Sequence, residues 1–430
     1  MSTVKSRVAF HTFGCKLNFS ETSAMSRKLE ENSFVPVSFN EEAEIYVIHG
    51  CTVTESADRK CRQAINKILR RSPDSFIVVA GCYAQLRHRE IAAIPGVDLV
   101  LGTGEKYDIV KYLQNIEKRS KTEVHNCETD QIRLFNSSYS MGDRTRSFLK
   151  VQDGCNYNCS YCTIPKARGR SRNQPVSKCL DDAKRIAEKG IKEIVLTGVN
   201  IGDFGRSTGE SFLELLEGLV TVDGIERYRI SSVEPDLLSD EIIEFAANNR
   251  KIMPHFHLPL QSGNNRILGK MRRRYTREVF TSRVNKIRKK IPLAGIGADV
   301  ITGFPGEGEE EFIDTYRFLE DTDVSYLHVF SYSKRSGTPA ALMDEQVDKK
   351  VKNLRSKKLQ ALSEKKKMLF NNKCKGTHVE ILWESEEKPG LIAGFTGNYI
   401  RVFTKYQPAL EGRISKHILR DIDENANFVV

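Results

Sequence analysis

Short apolar runs alternate with helical patterns along most of this 430-residue chain, and this alternation limits the possible folds. The stretches between the first runs, such as ETSAMSRKLEEN, have helical spacing and charged outer faces. Strands that alternate with helices form a mostly parallel sheet. We therefore predict an α/β, doubly wound domain over residues 1–125 and a linker over about 120–145. The apolar runs of this domain are RVAFHTF (7–13), AEIYVIHG (43–50), FIVVAGC (76–82) and VDLVLGT (97–103).

The alternation resumes at about residue 146 and continues through six strand and helix pairs. Six pairs are fewer than the eight of a closed barrel, so a partial (β/α)6 barrel of the TIM type fits residues 141–368. The chemistry of such a barrel lies at the C-terminal ends of its strands. After a long charged helix over about 344–370, short strands with turn residues between them predict a small C-terminal β-barrel over residues 371–430.

Composition favours a cytoplasmic protein without a membrane partner. The first ten residues contain no apolar stretch of signal-peptide length, and the longest apolar runs, such as FIVVAGCYA at 76–84, are too short to span a bilayer. In a reducing compartment, ten cysteines are better explained as metal ligands or reactive thiols than as a disulfide framework.

The net charge of +11 is concentrated in one segment. Between Arg266 and Lys290, eleven basic residues stand against one acidic residue, Glu278. A solvated helix face and a contact with a polyanion such as nucleic acid explain this run equally well.

Three cysteines follow the first predicted barrel strand within eight positions. Cys155, Cys159 and Cys162 have a C-x3-C-x2-C spacing, with Tyr161 just before the last. Three thiolates on one loop can hold a cubane iron–sulfur cluster and leave one iron without a protein ligand. A zinc knuckle, which needs a fourth ligand nearby, and three unrelated core thiols are the alternatives. The spacing, the aromatic residue and the strand together favour the cluster.

A second set of cysteines is distributed over the N-terminal domain. Cys15 lies just beyond the first predicted strand, Cys51 beyond the second and Cys82 at the end of the third. The C-terminal ends of parallel strands lie on one edge of a sheet, where ligands bind in open α/β folds. One such cysteine would be an ordinary buried thiol, but three at one edge predict a second metal site.

At these residues the chain resembles the radical S-adenosylmethionine (SAM) enzymes and, with its spaced N-terminal cysteines and terminal β-barrel, their methylthiotransferase branch. The likeness covers nearly the whole chain. It implies a flavodoxin-like N-terminal domain, a radical SAM barrel and a terminal TRAM domain that helps to hold tRNA. The motifs that carry it are TFGCKLN (12–18), GCTVTESADRK (50–60), AGCYAQ (80–85), GCNYNCSYCTIPKARGRSR (154–172), LTGVNIG (196–202), SSVEP (231–235), HLPLQSG (257–263) and GADVITGFPGE (297–307).

Within this branch, TFGCKLN, LTGVNIG and VFSYSKRSGTPA are most similar to the enzymes that add a methylthio group to N6-threonylcarbamoyladenosine, next to the tRNA anticodon. A methylthiotransferase for isopentenyladenosine or for a ribosomal aspartate, and a non-catalytic iron–sulfur protein that binds RNA, are the alternatives. The sequence departs from the family at HGC (49–51), where NTC is common, but the thiol is kept.

The resemblance implies a cofactor set that suits the chemistry. Carbon 2 of adenine carries an unactivated C–H bond that no side-chain base can deprotonate, so a radical must come from a cofactor. The implied cofactors are SAM and two 4Fe–4S clusters. The cluster on the barrel cysteines splits SAM, and the cluster on the N-terminal cysteines carries the sulfur. The implied partners are tRNA, a one-electron donor such as flavodoxin or ferredoxin, and a sulfur donor. Candidate contacts for SAM are Tyr161, Gly198, Glu234 and Gln261.

Candidate tRNA contacts follow the cysteine loop and the sixth strand. Arg168, Arg170 and Arg172 are placed to guide phosphates into the barrel mouth, with salt bridges to the N-terminal domain as the alternative. We also predict that Arg335 grips the carboxylate of threonylcarbamoyladenosine, although a structural salt bridge is equally compatible. In the C-terminal barrel, the predicted base-stacking groups are Phe395, Tyr399 and Phe403, near Arg401.

Overall fold

The computed structural model describes residues 6–52, 54–142, 145–424 and 426–430, and the chain divides into two compact units. The C-terminal strands belong to the same unit as the barrel, and parts of the cysteine loop belong to each unit. The division into three domains at 1–125, 141–368 and 371–430 stays a prediction. Unit 1 comprises Met1–Met141, Phe148–Asn158 and Cys162–Gln174, and unit 2 comprises Gly142–Ser147, Cys159–Tyr161 and Pro175–Val430.

Unit 1 is built on a six-stranded parallel sheet. Its strands are β1 (Arg7–Thr12), β2 (Val35–Val37), β3 (Ile45–Gly50), β4 (Phe76–Gly81), β5 (Leu99–Leu101) and β6 (Glu123–His125). The helices that connect these strands are α1 (Lys16–Glu31), α2 (Glu55–Arg71), α3 (Cys82–Ala92) and α4 (Ile109–Tyr112). The order β2-β1-β3-β4-β5-β6 begins with the flavodoxin-like order 2-1-3-4-5. The predicted flavodoxin-like α/β fold is therefore confirmed.

The sequence predicted the central strands and missed both edge strands of this sheet. Every residue of β3 and β4 is buried, as expected for parallel strands that are covered by helices on both faces. In contrast, β2 has three residues with Pro36 in the middle, which is tolerated only at an edge. Strand β6 lies inside the predicted linker and pairs with β5.

A short antiparallel ladder closes the base of the cysteine loop in unit 1. After β7 (Ser147–Lys150), strand β8 (Gln152–Asp153) pairs with β9 (Arg172–Asn173). Helix α5 (Ile164–Arg168) lies between them along the chain. The two ends of the loop that carries Cys155 and Cys162 are thus held side by side.

Unit 2 contains the remaining strands of the partial barrel. These strands are β10 (Glu193–Thr197), β11 (Arg227–Ile230), β12 (His255–Gln261), β13 (Gly295–Thr302) and β14 (Tyr326–Ser331). The helices are α6 (Val176–Ala187), α7 (Phe212–Leu219), α8 (Asp240–Asn248), α9 (Asn265–Lys270), α10 (Arg277–Lys290), α11 (Glu309–Asp321) and α12 (Lys349–Cys374). All described strand pairs within this part of unit 2 are parallel. With β7, six strands alternate with helices, which confirms the predicted partial (β/α)6 barrel.

The C-terminal strands form a mostly antiparallel sheet around the buried indole of Trp383. The strands are β15 (His378–Lys388), β16 (Leu391–Thr396), β17 (Arg401–Lys405), β18 (Ile414–Ile418), β19 (Asp421–Ile422) and β20 (Phe428–Val429), in the order β18-β15-β16-β17-β20-β19. This C-terminal sheet is the strand-rich region that the sequence predicted, and its assignment as a TRAM domain stays a prediction. Among the described helices, none has the length and apolar character needed to cross a membrane.

Candidate functional site

The three N-terminal cysteines lie at the carboxyl ends of three neighbouring strands. Cys15 immediately precedes α1, Cys51 immediately follows β3, and Cys82 is the first residue of α3 after β4. The point where the strand order reverses, between β1 and β3, is where open α/β folds bind ligands. The loops after β1 and β3 touch, because a Cβ atom at Gly14 would lie only 2.5 Å from Cβ of Cys51.

The surroundings of these thiols suit an anionic metal cluster. Cys15 is exposed, whereas Cys51 and Cys82 are buried. Burial raises the pKa of Cys82, but the cations of Arg168 and Lys106 act in the opposite direction. A set of three thiols near fixed positive charge fits a cluster with thiolate ligands.

Backbone amides point at the sulfurs of the cysteine loop. The amide of Tyr157 donates to Sγ of Cys155 at 3.3 Å, and the amide of Ile164 donates to Sγ of Cys162 at 3.4 Å. Such donors stabilise thiolates and tune iron–sulfur clusters. Within unit 1, the loop therefore provides hydrogen-bond donors that would stabilise Cys155 and Cys162 as thiolates.

A buried ion cluster joins the base of the cysteine loop to α1. Its centre is Arg168, which donates to Oε1 and Oε2 of Glu21 at 2.9 and 3.0 Å and to Oδ1 of Asp153 at 3.0 Å. Burial favours neutral Glu21, but Arg168 and the neighbouring cations hold the pKa of Glu21 well below its ordinary value. The ion cluster comprises Glu21, Lys106, Lys150, Asp153, Arg168 and Arg172.

The same guanidinium reaches the first N-terminal cysteine through one intermediate. Arg168 donates to Oδ1 of Asn18 at 3.0 Å, and this oxygen lies 3.5 Å from Sγ of Cys15. Asp153, the other partner of Arg168, lies two residues before Cys155. A chain of polar contacts therefore runs from Cys15 to Asp153, two residues before Cys155.

These contacts correct two of the predicted tRNA residues. Arg168 is 1% exposed and Arg172 is 8% exposed, and both are paired with carboxylates. Their side chains are thus not available to phosphates in this structure, and the alternative of salt bridges within the protein applies. Arg170 is exposed and stays a candidate phosphate contact.

In unit 2, an arginine that the sequence analysis did not single out connects three predicted site residues. Arg273 donates to Sγ of Cys159 at 3.0 Å and lies 3.4 Å from the hydroxyl of Tyr161. It also forms an ion pair with Glu234. The basic run contained this residue, but only its charge was considered there. Its partners come from distant parts of the sequence, so no local pattern reveals the contact.

The other predicted cofactor residues occupy strand ends as expected. Gly198 directly follows β10, and Gln261 ends β12 with a positive φ of 69° at a register shift. Arg335, four residues beyond β14, is only 4% exposed. Their roles stay predictions.

The middle of the barrel carries a polar group that the sequence analysis missed. Nε2 of His257 lies 2.8 Å from Oδ1 of Asp299, and Nδ1 of His328 lies 3.7 Å from the same oxygen. These residues come from β12, β13 and β14 and are called the His–Asp–His group below. Asp299 and His328 are direct partners in the strand register.

The predicted base-stacking residues of the C-terminal sheet contact the barrel. Phe395 and Tyr399 stack on each other with centroids 4.8 Å apart, and Arg146 lies 4.8 Å above the ring of Phe395. Arg229 lies 4.8 Å above the ring of Tyr399 and also donates to the carbonyl of Gly397 at 2.8 Å. These contacts, together with His255 at 4.6 Å from the ring of Tyr399, favour a structural role for Tyr399 over base stacking, whereas base stacking by Phe395 stays a prediction.

The basic run is two helices whose charges are mostly paired. Helix α9 ends at Lys270 and α10 begins at Arg277, with Arg272 at a φ of 58° between them. The structure thus favours the ion-paired surface over a broad tRNA footprint. Carboxylates pair with Arg266, Lys270, Arg273, Arg277, Arg283, Lys286, Arg288 and Lys290.

Comparison with known proteins agrees with this arrangement. The model of the radical SAM superfamily matches residues 149–319, and that of the uncharacterized protein family UPF0004 matches residues 7–102. The threonylcarbamoyladenosine tRNA methylthiotransferase MtaB of Bacillus subtilis is 42% identical over 95% of this chain and 92% of its own length. The protein of the same name from Aquifex aeolicus is 39% identical over 92% of this chain and 96% of its own.

Relatives whose names give a different substrate are less similar, and solved structures share the fold. The tRNA-2-methylthio-N6-dimethylallyladenosine synthase of Fusobacterium nucleatum is 33% identical over 94% of each chain. The radical SAM methyltransferase TsrM of Kitasatospora setae, solved with cobalamin and a 4Fe–4S cluster, aligns with a TM-score of 0.56 at 14% identity. That alignment covers 79% of this chain and 77% of TsrM, and at this identity it shows a common fold only.

Proposed function

Because the chain belongs to the radical SAM methylthiotransferase family, we propose that it converts N6-threonylcarbamoyladenosine, next to the anticodon of tRNA, to its 2-methylthio derivative. The relatives that are 42% and 39% identical carry this activity in their names. The relative that modifies dimethylallyladenosine is 33% identical. The order of these identities supports the threonylcarbamoyl substrate.

The observation that carries the proposal is the presence of two cysteine sets joined by the buried ion cluster. Cys155, Cys159 and Cys162 would hold one 4Fe–4S cluster, and the second set would hold the other. When bound, these groups and SAM supply a radical that breaks an unactivated C–H bond and the sulfur that replaces the hydrogen. The second set consists of Cys15, Cys51 and Cys82.

The protein's own residues position these parts. Arg168 contacts Asn18 beside Cys15 and Asp153 beside Cys155, and therefore fixes one loop against the other. Arg273 fixes Cys159 relative to Glu234, which supports the predicted place of SAM near Glu234 and Tyr161. Gly198 and Gln261 complete the proposed SAM contacts at the strand ends.

The proposed tRNA contacts are Arg170 near the cysteine loop and Arg335 beyond β14. Because Arg335 is buried, it would act on a substrate group that enters the barrel and not on an exposed phosphate. If Arg335→Ala modifies tRNA with unchanged kinetics, this role is wrong. We further propose a cytoplasmic site of action, where tRNA, a one-electron donor and a sulfur donor are present.

Anaerobic reconstitution with iron and sulfide, followed by incubation with SAM, tRNA and a one-electron reductant such as dithionite, tests the proposal. Wild-type protein should release 5'-deoxyadenosine and form the 2-methylthio nucleoside only in tRNA that carries threonylcarbamoyladenosine. Cys159→Ala should release no 5'-deoxyadenosine, whereas Cys82→Ala should retain some SAM cleavage and give no methylthio product. Modification of dimethylallyladenosine or of a ribosomal protein instead would refute the substrate. Absence of SAM cleavage by reduced wild-type protein would refute the enzyme assignment.

A further inference from the structure

The first turns of α12 lie at the rim of the barrel mouth in unit 2. The side-chain oxygen of Ser356 lies 2.7 Å from that of Thr302 and 2.8 Å from that of Ser331. Thr302 and Ser331 are the last residues of β13 and β14. Arg355 donates to the carbonyl of Glu307, in the loop after β13, at 2.8 Å. The N-terminal part of α12 is therefore fixed at the strand ends where the chemistry of such a barrel takes place.

Three lysines in this part of the helix face solvent. Lys349, Lys350 and Lys357 are exposed, and none of them pairs with a carboxylate among the residues that the structure describes. Lys349, Asn353 and Lys357 follow one another at i, i+4 and i+8, so they lie in one row on the helix. The three lysines are called the lysine surface below. It extends about 12 Å along the helix axis, at about 1.5 Å per residue.

The lysines in the C-terminal half of the same helix show how cations with a structural role are placed. Lys365 forms an ion pair with Glu320 of α11, and Lys373 forms one with Asp323, just after α11. These pairs join α12 to its neighbour in the barrel. The lysine surface has no such partner in the described residues, so its charges do not hold the helix in place.

The position of two of these lysines opposes helix stability. The partial positive charge of a helix N-terminus favours acidic side chains in the first turn and disfavours basic ones. Helix α11 has glutamates at 309–311 in its first turn, whereas α12 begins with Lys349 and Lys350 and has no acidic residue there. Burial lowers the pKa of Lys352, Asp348 acts in the opposite direction, and the charge of Lys349 lowers this pKa further. The cations are thus crowded where the fold does not favour them, which indicates an external anion.

We propose that the lysine surface binds the phosphate backbone of the tRNA beside the nucleotide that enters the barrel. The inference rests on the proposed function and extends it from the target base to the backbone that flanks this base. Lysines, arginines and side-chain amides such as that of Asn353 are the usual phosphate contacts. The phosphates take the place of the missing carboxylate partners, and their counterions are released on binding.

The place of the lysine surface favours RNA over an acidic protein such as an electron donor. Phosphates on either side of an inserted base lie at the rim of the mouth, where this surface is fixed. Phosphate contacts carry no base identity. The lysine surface therefore sets the affinity and orientation of the tRNA and leaves the choice of nucleoside to the barrel interior.

The test measures tRNA binding to the anaerobic, iron-loaded protein by fluorescence anisotropy between about 50 and 200 mM salt. In Lys349→Gln/Lys350→Gln/Lys357→Gln, the slope of log affinity against log salt concentration should become less steep by about two to three. With the affinity extrapolated to about 1 M salt unchanged, two units of slope correspond to about 100-fold weaker binding at about 0.1 M salt. tRNA with and without the threonylcarbamoyl group should be affected equally.

A pair of single variants provides the matched control. Lys350→Gln should reduce the slope by about one. Lys365→Gln, the same change at an exposed lysine of the same helix that already has a carboxylate partner, should leave the slope unchanged. Equal effects of the two variants would mean that only the net charge matters, and this result overturns the inference.

Urea unfolding gives a second readout, for which a structural role predicts the opposite sign. Because Lys349 and Lys350 oppose the helix dipole, the triple variant should keep the unfolding midpoint of wild type or raise it. Weaker tRNA binding together with a lower midpoint would mean that the lysines act through the fold, and the inference is then wrong.

The remaining outcomes separate the inference from the proposed function. An unchanged slope in the triple variant, with wild type that binds tRNA, overturns the role of the lysine surface and leaves the proposed function intact. Normal tRNA binding with loss of SAM cleavage when a flavodoxin supplies the electron, but not when dithionite does, assigns the surface to an acidic protein and overturns the inference as well. Wild type that binds tRNA but forms no methylthio product on threonylcarbamoyladenosine refutes the proposed function, whereas the salt slope still decides the inference.

Discussion

Replacing Arg168 by methionine should destabilise unit 1 without a direct effect on phosphate binding. Arg168 is 1% exposed and donates to two oxygens of Glu21, to Asp153 and to Asn18. Methionine preserves much of the apolar stem but leaves these acceptors without their donor. Removing one partner of a buried ion pair costs about 3–5 kcal/mol.

The composition of the ion cluster refines this magnitude. It holds four cationic and two anionic side chains, so Glu21 and Asp153 keep cationic neighbours when Arg168 is removed. We therefore expect Arg168→Met to lie near the lower value, about 3 kcal/mol. Glu21→Gln should cost more, about 5 kcal/mol, because it leaves four buried cations with one carboxylate.

Equilibrium urea unfolding of the anaerobic, iron-loaded protein measures these losses, and tRNA binding at several salt concentrations provides the second readout. Arg170→Met is the matched control, since Arg170 is exposed on the same segment. This variant should change the unfolding free energy by less than about 0.5 kcal/mol. The Arg170→Met variant should bind tRNA more weakly. The slope of log affinity against log salt concentration should become less steep by about one. If Arg168→Met keeps full stability and instead reduces the salt slope, the structural role of the ion cluster is wrong.

Three further predictions concern other parts of the molecule. Arg273→Gln removes a charged donor to Sγ of Cys159, so the reduction potential of the cluster on this loop should become more negative in an EPR-monitored titration; an unchanged potential contradicts the contact. Gly14→Ala, at a φ of 119° and against Cys51, should displace the loop after β3 and lower the iron content from about eight to about four per chain. Burial raises the pKa of Glu193, but three nearby arginines lower it below the ordinary value of 4.5 overall. The stabilisation is therefore present above pH 4.5 and is lost as the pH falls through the lowered pKa. Acid unfolding should be less steep in Glu193→Gln.

The sequence predicted those features that depend on local pattern and chain order. The buried runs of β3 and β4 and the positions of Cys15, Cys51 and Cys82 after strands follow from periodicity and from the geometry of parallel sheets. Strand β2 was missed because three residues with a proline carry no periodic signal.

The features that the sequence did not predict depend on long-range partners. The ion pair of Arg168 with Glu21 joins residues 147 positions apart, so nothing near Arg168 distinguishes a buried arginine from a phosphate contact. Arg273 meets Cys159 across 114 positions, and the His–Asp–His group collects one residue from each of three strands. Only the folded arrangement of strands reveals that such residues meet.

The attachment of the C-terminal sheet places it at the opposite end of the barrel strands from the predicted SAM contacts. This sheet is fastened through Arg227 and His255, the first residues of β11 and β12, whereas Gln261 and the predicted SAM contacts lie where barrel strands end. The longest of these strands, β13, has eight residues and spans about 26 Å at about 3.3 Å per residue. An RNA that contacted both places would have to span about the length of β13, roughly 26 Å.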